Sequence, residues 1–354
     1  MRESRVHGEG PEIEFILASG EDRSGFLAFG EDDSVPHISA PWAPESYNPT
    51  RHLELDAMAL IIGEMADSKL TTEDLHQLLL YGSSLGGARP KATIKHDGRI
   101  WLAKAPRADD QYNVPRGEYA AMELARRCGM DVPETRLVQV AGRDIYLIER
   151  FDRTLTGGKT LRHGMLSALS AFALSDNAMN IKRYASYNRL AGVLGEIGAR
   201  GIEKFDPARR EKSAAATKQR HEIFQRIVFN ILVANTDDHP RNHALILRDG
   251  HWRLSPLYDV QPIPNRAATK YLAMGFGARG GEGTVANLLS RCGDFDLNRK
   301  QALAEIAALL DRFDGWESLF RDAGVPNRDL DGYRVTFTVA TDMRLDVERE
   351  RKNR

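Results

Sequence analysis

The chain has 354 residues, of which 42% are hydrophobic and 28% are charged, an ordinary composition for a folded protein long enough to form two lobes. A formal net charge of −1 excludes a strong overall attraction to nucleic acid or to an acidic membrane. The apolar runs are too short to cross a bilayer and the first residues lack a signal-peptide pattern, so we expect no membrane segment. The two cysteines, Cys128 and Cys292, are few and widely separated, which argues against a disulfide framework and favours a reducing, cytoplasmic location.

The region from residue 81 to residue 153 contains a glycine-rich stretch, strand patterns and one helix pattern. After the glycine-rich residues 82–91, two alternating runs flank Asp97–Gly98, a pair typical of the tight turn in a β-hairpin. The sequence EYAAMELARRC predicts an amphipathic helix at 118–128, and the runs TRLVQV and IYLIERFDR predict a second hairpin. We therefore predict a small mixed α/β lobe at 81–153.

Helical patterns dominate the rest of the chain. They occupy 164–175, 185–200, 218–235, 300–312, 315–323 and 333–350. One interruption, HALILRDGHWRL, predicts a hairpin that turns at Asp249–Gly250. The second lobe, 154–354, is therefore predicted to be mainly helical. The fold class that follows is α+β, with a small mixed α/β N-lobe joined to a larger helical C-lobe.

A dense polar segment, NTDDHPRN at 235–242, follows an apolar helix and precedes a strand. Pro240 disfavours a regular element here, so the segment is predicted to be a loop that presents side chains. Asp237 and Asn242 have the D-x4-N spacing used in phosphoryl transfer, where the carboxylate orients the attacking hydroxyl and the amide oxygen helps to hold Mg²⁺. Asp259 follows in LYDV, beyond the hairpin predicted at Asp249–Gly250, and can supply another oxygen ligand to the metal.

Two other interpretations of this segment remain open. Asp237, Asp238 and Asn242 could simply cap the helix and shape a turn, because short polar side chains favour both positions. Alternatively, His239 and His243 could bind zinc together with Asp237. The proline between the two histidines disfavours the helix that would place them on one face.

Three features of the first lobe suit a nucleotide site, although each also has a structural explanation. The small residues of 83–91 let backbone N–H groups approach phosphates, or they form a plain surface loop. Lys104, at the end of a strand, can hold phosphates with Glu118 or Glu123 as its counter-charge, or it can reach solvent. The segment 149–151 lies where a hinge would bind adenine through its backbone, or it belongs to an edge strand.

Taken together and in this order, the motifs resemble those of the HipA-family serine/threonine protein kinases. The resemblance rests on Ser84–Lys91, the strand residue Lys104, ERFDR (149–153), TDDHPRN (236–242), LSPLYDV (254–260) and YLAMGFG (271–277). It implies a bilobal protein-kinase-like fold that uses ATP and Mg²⁺, with Asp237 as the catalytic residue and with Asn242 and Asp259 as metal ligands. The ATP-binding residues that it implies are Gly86, Gly87, Ala88, Arg89, Pro90, Lys91, Lys104, Glu149, Arg150, Phe151, His239, Arg241, Asn242, Tyr258 and Asp259.

The resemblance also implies a biological role. Members of the family are toxins of bacterial toxin–antitoxin pairs that phosphorylate aminoacyl-tRNA synthetases or other translation components. They inactivate themselves by autophosphorylation, which would fall on Ser84 or on its neighbour Ser83 and add negative charge to a loop that binds ATP. The expected partner is a HipB-like helix-turn-helix antitoxin, through which alone the kinase would contact DNA. Residues 1–80 are expected to form a reduced N-terminal region.

Two alternatives to a protein kinase remain open. A small-molecule phosphotransferase of the aminoglycoside or choline kinase kind shares the logic of the catalytic loop. A non-catalytic regulator would bind an antitoxin and DNA without transferring phosphate, although the presence of Asp237, Asn242 and Asp259 argues against it.

Overall fold

The computed structural model describes residues 23–27, 91–107, 109–140, 142–157, 159–175, 177–197 and 214–352. The predicted site residues Ser83, Ser84, Gly86, Gly87, Ala88, Arg89 and Pro90 lie outside these ranges, as does most of the N-terminal region predicted at 1–80. The described residues form two units: those up to Gln111 together with Arg136–Gly164, and Tyr112–Thr135 together with those from Met165 onward. The helix predicted at 118–128 therefore groups with the second unit, and the predicted lobe bounds of 81–153 and 154–354 stay a prediction.

The first unit is built on a four-stranded sheet. Its strands are β1 (Lys91–His96), β2 (Arg99–Lys104), β3 (Thr135–Val140) and β4 (Arg143–Glu149), in the order β1-β2-β4-β3. Asp97 and Gly98 connect β1 to β2 with positive φ angles of 48° and 71°, as an Asp-Gly turn does in a tight hairpin. Both hairpins predicted in this part of the chain are confirmed. A separate antiparallel pair consists of β5 (Arg153–Thr156) and β6 (Lys159–Arg162).

Apolar side chains from alternate positions of this sheet form the core of the first unit. Successive residues of a strand point to opposite faces, so residues two apart share one face. The buried cluster consists of Ala92, Ile94, Trp101, Ala103, Ala105, Ile145 and Leu147, against which Val138 and Val140 pack. This burial fixes the register of the strands, because a slip by one residue would move the apolar set to the other face.

The second unit is mainly helical. Its helices are α1 (Val114–Arg127), α2 (Ala168–Ala171), α3 (Ala178–Tyr184), α4 (Tyr187–Ile197), α5 (Ala214–Leu232), α6 (Val285–Ser290), α7 (Arg299–Phe313), α8 (Trp316–Asp322), α9 (Asn327–Thr336) and α10 (Val339–Lys352), with a 3-10 helix at Cys292–Phe295. A three-stranded sheet joins β7 (Gly164–Ser167), β8 (Ala244–Arg248) and β9 (His251–Leu254) in that order, which confirms the hairpin at Asp249–Gly250. In the described part of the chain, no helix is both long and apolar enough to span a membrane.

Helix α5 runs through the interior of the second unit. From Ile223 to Leu232 nearly every side chain is buried, as expected for a helix in a core. Arg226 is buried in this interior, where its guanidinium group has two partners. Its Nη2 atom donates to the carbonyl oxygen of Ser255 at 2.7 Å, and the group also pairs with Glu222. Arg226 therefore holds the C-terminal half of α5 against Ser255, which follows the hairpin at Asp249–Gly250.

The prediction of a helix at 164–175 is wrong. Strand β7 occupies its first residues, and only the short α2 follows. The N–H groups of Ala168 and Leu169 bond to the carbonyl oxygens of His243 and Pro240, at 2.8 and 3.1 Å. These hydrogen bonds to a distant segment favour a strand at 164–167, and the hydrophobic periodicity of the local sequence gives no information about them.

The helix predicted at 333–350 is in fact two helices, α9 and α10. The hydroxyl of Thr336 lies 2.8 Å from the carbonyl oxygen of Gly332 and 3.1 Å from that of Asn265, and α9 ends there. The other predicted helices are confirmed with ends that differ by a few residues, as far as each is described. Such shifts are expected because the last turns of a helix depend on its caps and tertiary contacts.

A buried cluster of charged side chains lies in the first unit, directly after β4. Asp152, which is 4% exposed, accepts hydrogen bonds from Arg150 at 3.0 Å and from Arg153 at 2.8 Å. The N–H of Gly25 donates to the same carboxylate at 3.0 Å, while Arg153 and Arg162 each donate to the Gly25 carbonyl oxygen at 3.0 Å. Burial alone would raise the pKa of Asp152, but the two neighbouring guanidinium groups hold that pKa below its usual value of 3.8.

We expect Asp152→Asn to lower the free energy of unfolding by about 3 kcal/mol, because the change leaves buried guanidinium groups without their carboxylate. The contribution of the carboxylate is present above pH 3.8 and is lost as the pH falls from that value through the lower folded-state pKa. The stability of the wild-type chain should therefore fall more steeply with acid than that of the variant. Urea unfolding at neutral pH and below pH 3.8 measures both effects.

The matched control for this prediction is Asp97→Asn, which removes an exposed carboxylate paired with Arg136. Exposed ion pairs contribute little to stability, so this control should unfold almost as the wild-type chain does. Equal losses of stability in the two variants would contradict the importance given to the buried cluster.

Candidate functional site

The polar loop begins where α5 ends. Ala234 has a φ of 52°, a left-handed conformation that stops the helix, and the N–H of Asn235 bonds to the carbonyl oxygen of Asn230 at 2.9 Å. The carbonyl oxygen of Thr236 then accepts a hydrogen bond from the N–H of Ala273 at 3.1 Å. The start of the loop is therefore held both by the helix that it leaves and by the YLAMGFG segment.

Asp237 and Asn242 lie on one turn of this loop. Asp237 is exposed, whereas Asn242 is 6% exposed. The Nδ2 atom of Asn242 donates to the carbonyl oxygen of Asp237 at 3.4 Å, and its N–H bonds to the carbonyl oxygen of His239 at 2.9 Å. The two residues of the D-x4-N pattern are thus brought together. Because the amide nitrogen acts as a donor, the amide oxygen is the atom of Asn242 suited to a cation.

Asp259 follows a short irregular segment, 255–258, whose first residue, Ser255, bonds to Ala244 of β8. The hydroxyl of Tyr258 donates to the carbonyl oxygen of Arg241 at 2.7 Å. Asp259 itself is half-buried and has a φ of 60°, a strained conformation that Asp tolerates better than most residues. The residue before Asp259 is therefore in contact with the residue before Asn242.

The oxygen atoms of Asn242 and Asp259 fit a hard divalent cation such as Mg²⁺, which prefers carboxylate and amide oxygens. The zinc alternative finds no such support. The Nε2 atom of His243 lies 2.8 Å from the carboxylate of Asp238, and both side chains are buried. Within the described ranges, no group of three or more His, Cys, Asp or Glu side chains is placed to hold a metal ion.

Asp238 forms the buried centre of the loop, and sequence reasoning assigned it only a possible part in a cap or turn. Its carboxylate is 2% exposed and accepts hydrogen bonds from Asn230, His243 and Tyr187. Burial and the neighbouring carboxylate raise the pKa of Tyr187 well above its usual value, so the hydroxyl stays protonated. The signal in the sequence is Asn230 in the apolar run IVFNILVA, since a polar residue in a buried helix needs a partner.

The predicted phosphate-binding lysines belong to the first unit and lie opposite each other. Lys91 and Lys104 are cross-strand partners in β1 and β2. Lys104 is 5% exposed, which contradicts the alternative that it reaches solvent, and its Nζ atom lies 5.8 Å from the centre of the Tyr146 ring. The two predicted counter-charges belong to α1 in the second unit, where Glu118 is buried and Glu123 accepts a hydrogen bond from a threonine at 2.6 Å. A phosphate-binding role for either lysine stays a prediction.

The segment predicted to bind adenine continues from the end of β4. Glu149 is the last residue of that strand, and its carboxylate accepts a hydrogen bond from Arg99 at 2.9 Å. Arg150 is buried, its N–H bonds to the carbonyl oxygen of Ile100 at 2.9 Å, and its guanidinium belongs to the ion cluster described above. Phe151 is half-buried in the turn that follows. Adenine binding by these residues stays a prediction.

The other predicted ATP-binding residues are His239, Arg241 and Tyr258. All three belong to the loop and the irregular segment that carry Asn242 and Asp259. The hydrogen bond from the hydroxyl of Tyr258 to the carbonyl oxygen of Arg241 joins the two segments. Direct contact of any of the three with a nucleotide stays a prediction.

Comparison with known proteins gives a family match and several relatives. A family model described as the HipA-like C-terminal domain matches residues 83–316. A putative kinase of Haemophilus influenzae is 29% identical over 218 residues, which cover 56% of this chain and 59% of that protein. The serine/threonine-protein kinase toxin HipA of Shewanella oneidensis is 22% identical over 190 residues, which cover 51% of this chain and 43% of that protein. The chain thus spans about half the length of these curated relatives.

A solved structure shares the fold. It is a chain in the complex of the HipA and HipB toxin–antitoxin system of Shewanella oneidensis with its operator DNA. The match has a TM-score of 0.66 at 19% identity and covers 97% of this chain and 79% of that chain. The predicted α+β, kinase-like fold is therefore confirmed, and the family match bears out the resemblance that the motifs carry.

Proposed function

The chain belongs to the HipA-like C-terminal domain family, and on that basis we propose that it is a Mg·ATP-dependent serine/threonine protein kinase. The proposal rests mainly on the loop between α5 and β8. In this loop the exposed Asp237 and the buried Asn242 lie on one turn, and the segment that carries Asp259 is bonded to it. Relatives named as kinases support phosphotransfer in general. The choice of a Ser or Thr hydroxyl as acceptor follows the HipA relative.

In this proposal each oxygen-bearing side chain has one task. The exposed carboxylate of Asp237 accepts a hydrogen bond from the acceptor hydroxyl and orients it for attack. The amide oxygen of Asn242 and the carboxylate of Asp259 would hold the metal ion. When bound, Mg·ATP would supply the γ-phosphoryl group, with ADP as the leaving group, and the charge of Mg²⁺ would offset the negative charge of the phosphates. Lys104 contributes a cation for the phosphates.

The biological setting belongs to the same proposal. The substrate would be a translation component such as an aminoacyl-tRNA synthetase, and the partner a HipB-type antitoxin through which DNA is reached. This setting is supported by a relative named as a toxin and by a matched structure that contains HipB and operator DNA. Phosphorylation of Ser84 or Ser83 would then inactivate the enzyme by adding charge to the glycine-rich loop.

We expect Asp237→Asn to reduce the rate of phosphate transfer from radiolabelled ATP by at least about 100-fold, because the amide is a poor proton acceptor. The side chain is exposed, so the melting temperature should stay close to that of the wild-type chain. Asp249→Asn is the matched control, since Asp249 is also exposed but lies in the turn between β8 and β9. If the Asp237→Asn and Asp249→Asn variants transfer phosphate at the same rate, the catalytic role of Asp237 is refuted.

A second variant tests metal binding directly. We expect Asp259→Asn to weaken the binding of Mn²⁺, used as a spectroscopic substitute for Mg²⁺, by about tenfold or more, because it removes a charged ligand. Binding is measured by electron paramagnetic resonance with ATP present. Asp249→Asn again serves as the control, because Asp249 has a similar φ of 52° and both positions accept Asn without new backbone strain. Equal Mn²⁺ affinity in the two variants would exclude Asp259 as a ligand.

Intact-mass measurement after incubation with Mg·ATP separates the three candidate functions. A protein kinase of this type is expected to gain phosphate that maps to Ser83 or Ser84, and a Ser83→Ala/Ser84→Ala double variant should lose that gain. A small-molecule phosphotransferase would instead phosphorylate choline or an aminoglycoside while its own mass stays constant. A non-catalytic regulator would leave both ATP and its own mass unchanged.

A further inference from the structure

The carboxylate of Asp238 is buried directly beside the exposed Asp237. Its Oδ2 atom accepts hydrogen bonds from Asn230 Nδ2 at 2.7 Å, from His243 Nε2 at 2.8 Å and from the hydroxyl of Tyr187. Asn230, His243 and Tyr187 are all 0% exposed. A buried carboxylate is costly unless donors surround it, so these four side chains form one interdependent unit.

The three donors come from three different elements. Tyr187 is the first residue of α4, Asn230 lies in the last turns of α5, and His243 directly precedes β8. Each donor is held in turn by other contacts. The Oδ1 atom of Asn230 accepts a hydrogen bond from Asn235 at 3.1 Å, and the Tyr187 ring meets the His243 ring edge-on at a centroid distance of 5.4 Å. The network therefore ties the loop to two helices and to the start of a strand.

Two of the residues in this network are neighbours in sequence of the proposed site residues. Asp238 is the neighbour of Asp237, and His243 is the neighbour of Asn242. The hydrogen bond between Asp238 and His243 therefore fixes the two points from which the proposed catalytic carboxylate and the proposed metal-binding amide extend. A change in its geometry would alter the separation of those two groups while leaving the hydrophobic core in place.

We propose that Asp238, held by Tyr187, Asn230 and His243, is a positioning residue that sets the geometry of Asp237 and Asn242 for phosphoryl transfer. This inference rests on the proposed kinase function and extends it to residues that do not touch the substrate. Because positioning acts on the reacting geometry, its loss should reduce kcat, measured at saturating Mg·ATP where weaker nucleotide binding no longer limits the rate.

Tyr187→Phe is the sharpest test, because it removes one donor without creating a cavity. At saturating Mg·ATP we expect the rate of self-labelling with radiolabelled ATP to fall by about 10- to 100-fold. Tyr333→Phe is the matched control. Tyr333 is also 0% exposed and belongs to the second unit, and its hydroxyl makes no hydrogen bond within the described structure.

Amide hydrogen exchange supplies a readout that does not depend on activity. We expect faster exchange in residues 235–243 of the Tyr187→Phe chain, with exchange in the rest of α5 unchanged. A general loss of stability would instead raise exchange throughout the second unit and lower the melting temperature without a local effect. That pattern, with kcat at the wild-type value, would overturn the positioning role.

The outcomes separate this inference from the kinase proposal. Absence of labelling in the wild-type chain would count against the proposed function itself. Labelling of the wild-type and Tyr187→Phe chains at equal rates would overturn the positioning role alone. If Tyr187→Phe does not fold, Asp238→Asn gives the same comparison in kcat and in exchange. Failure of both variants to fold would also overturn the inference, because the network would then serve to hold the fold.

Discussion

The interior of a protein accepts a carboxyl group only where hydrogen-bond partners replace the lost water, and Asp238 imposes this requirement on the second unit. Its donors come from α4, from α5 and from the residue before β8. The loop between α5 and β8 must therefore follow a path that returns His243 to Asp238. Along that path Asp237 is left exposed and Asn242 is turned inward. The hydrogen bonds that satisfy one buried carboxyl group therefore also shape the loop that carries the candidate site.

The first unit solves a similar problem with different chemistry. Asp152 is surrounded by guanidinium groups, whose positive charges oppose its own and keep its pKa low. Asp238 is met by a phenol, an amide and an imidazole, which supply hydrogen bonds and a defined geometry. An ion cluster suits a position that has to hold segments together. A network of directional hydrogen bonds suits a loop whose side chains must stay in register with one another.

Those parts of the structure that depend on local sequence could be predicted. The Asp97–Gly98 and Asp249–Gly250 turns need only the backbone freedom of two residues, and the D-x4-N turn spans only six. The burial of Lys104 was not foreseeable, because it follows from how β2 sits within the sheet. The contact of Tyr187 with Asp238 joins residues 51 positions apart, and no pattern within one segment encodes it. Strand β7 replaces a predicted helix for the same reason, since its environment is supplied by the distant loop.

The hydrogen bonds around Gly25 affect how far the chain can be shortened. Its carbonyl oxygen accepts hydrogen bonds from Arg153 and Arg162, and its N–H donates to Asp152. The family match begins only at residue 83. A fragment trimmed to that boundary would keep every matched residue, yet Asp152, Arg153 and Arg162 would lose their hydrogen bonds to the backbone of Gly25. Expression of the isolated family domain would thus yield a weakened first unit, for a reason that alignment alone does not reveal.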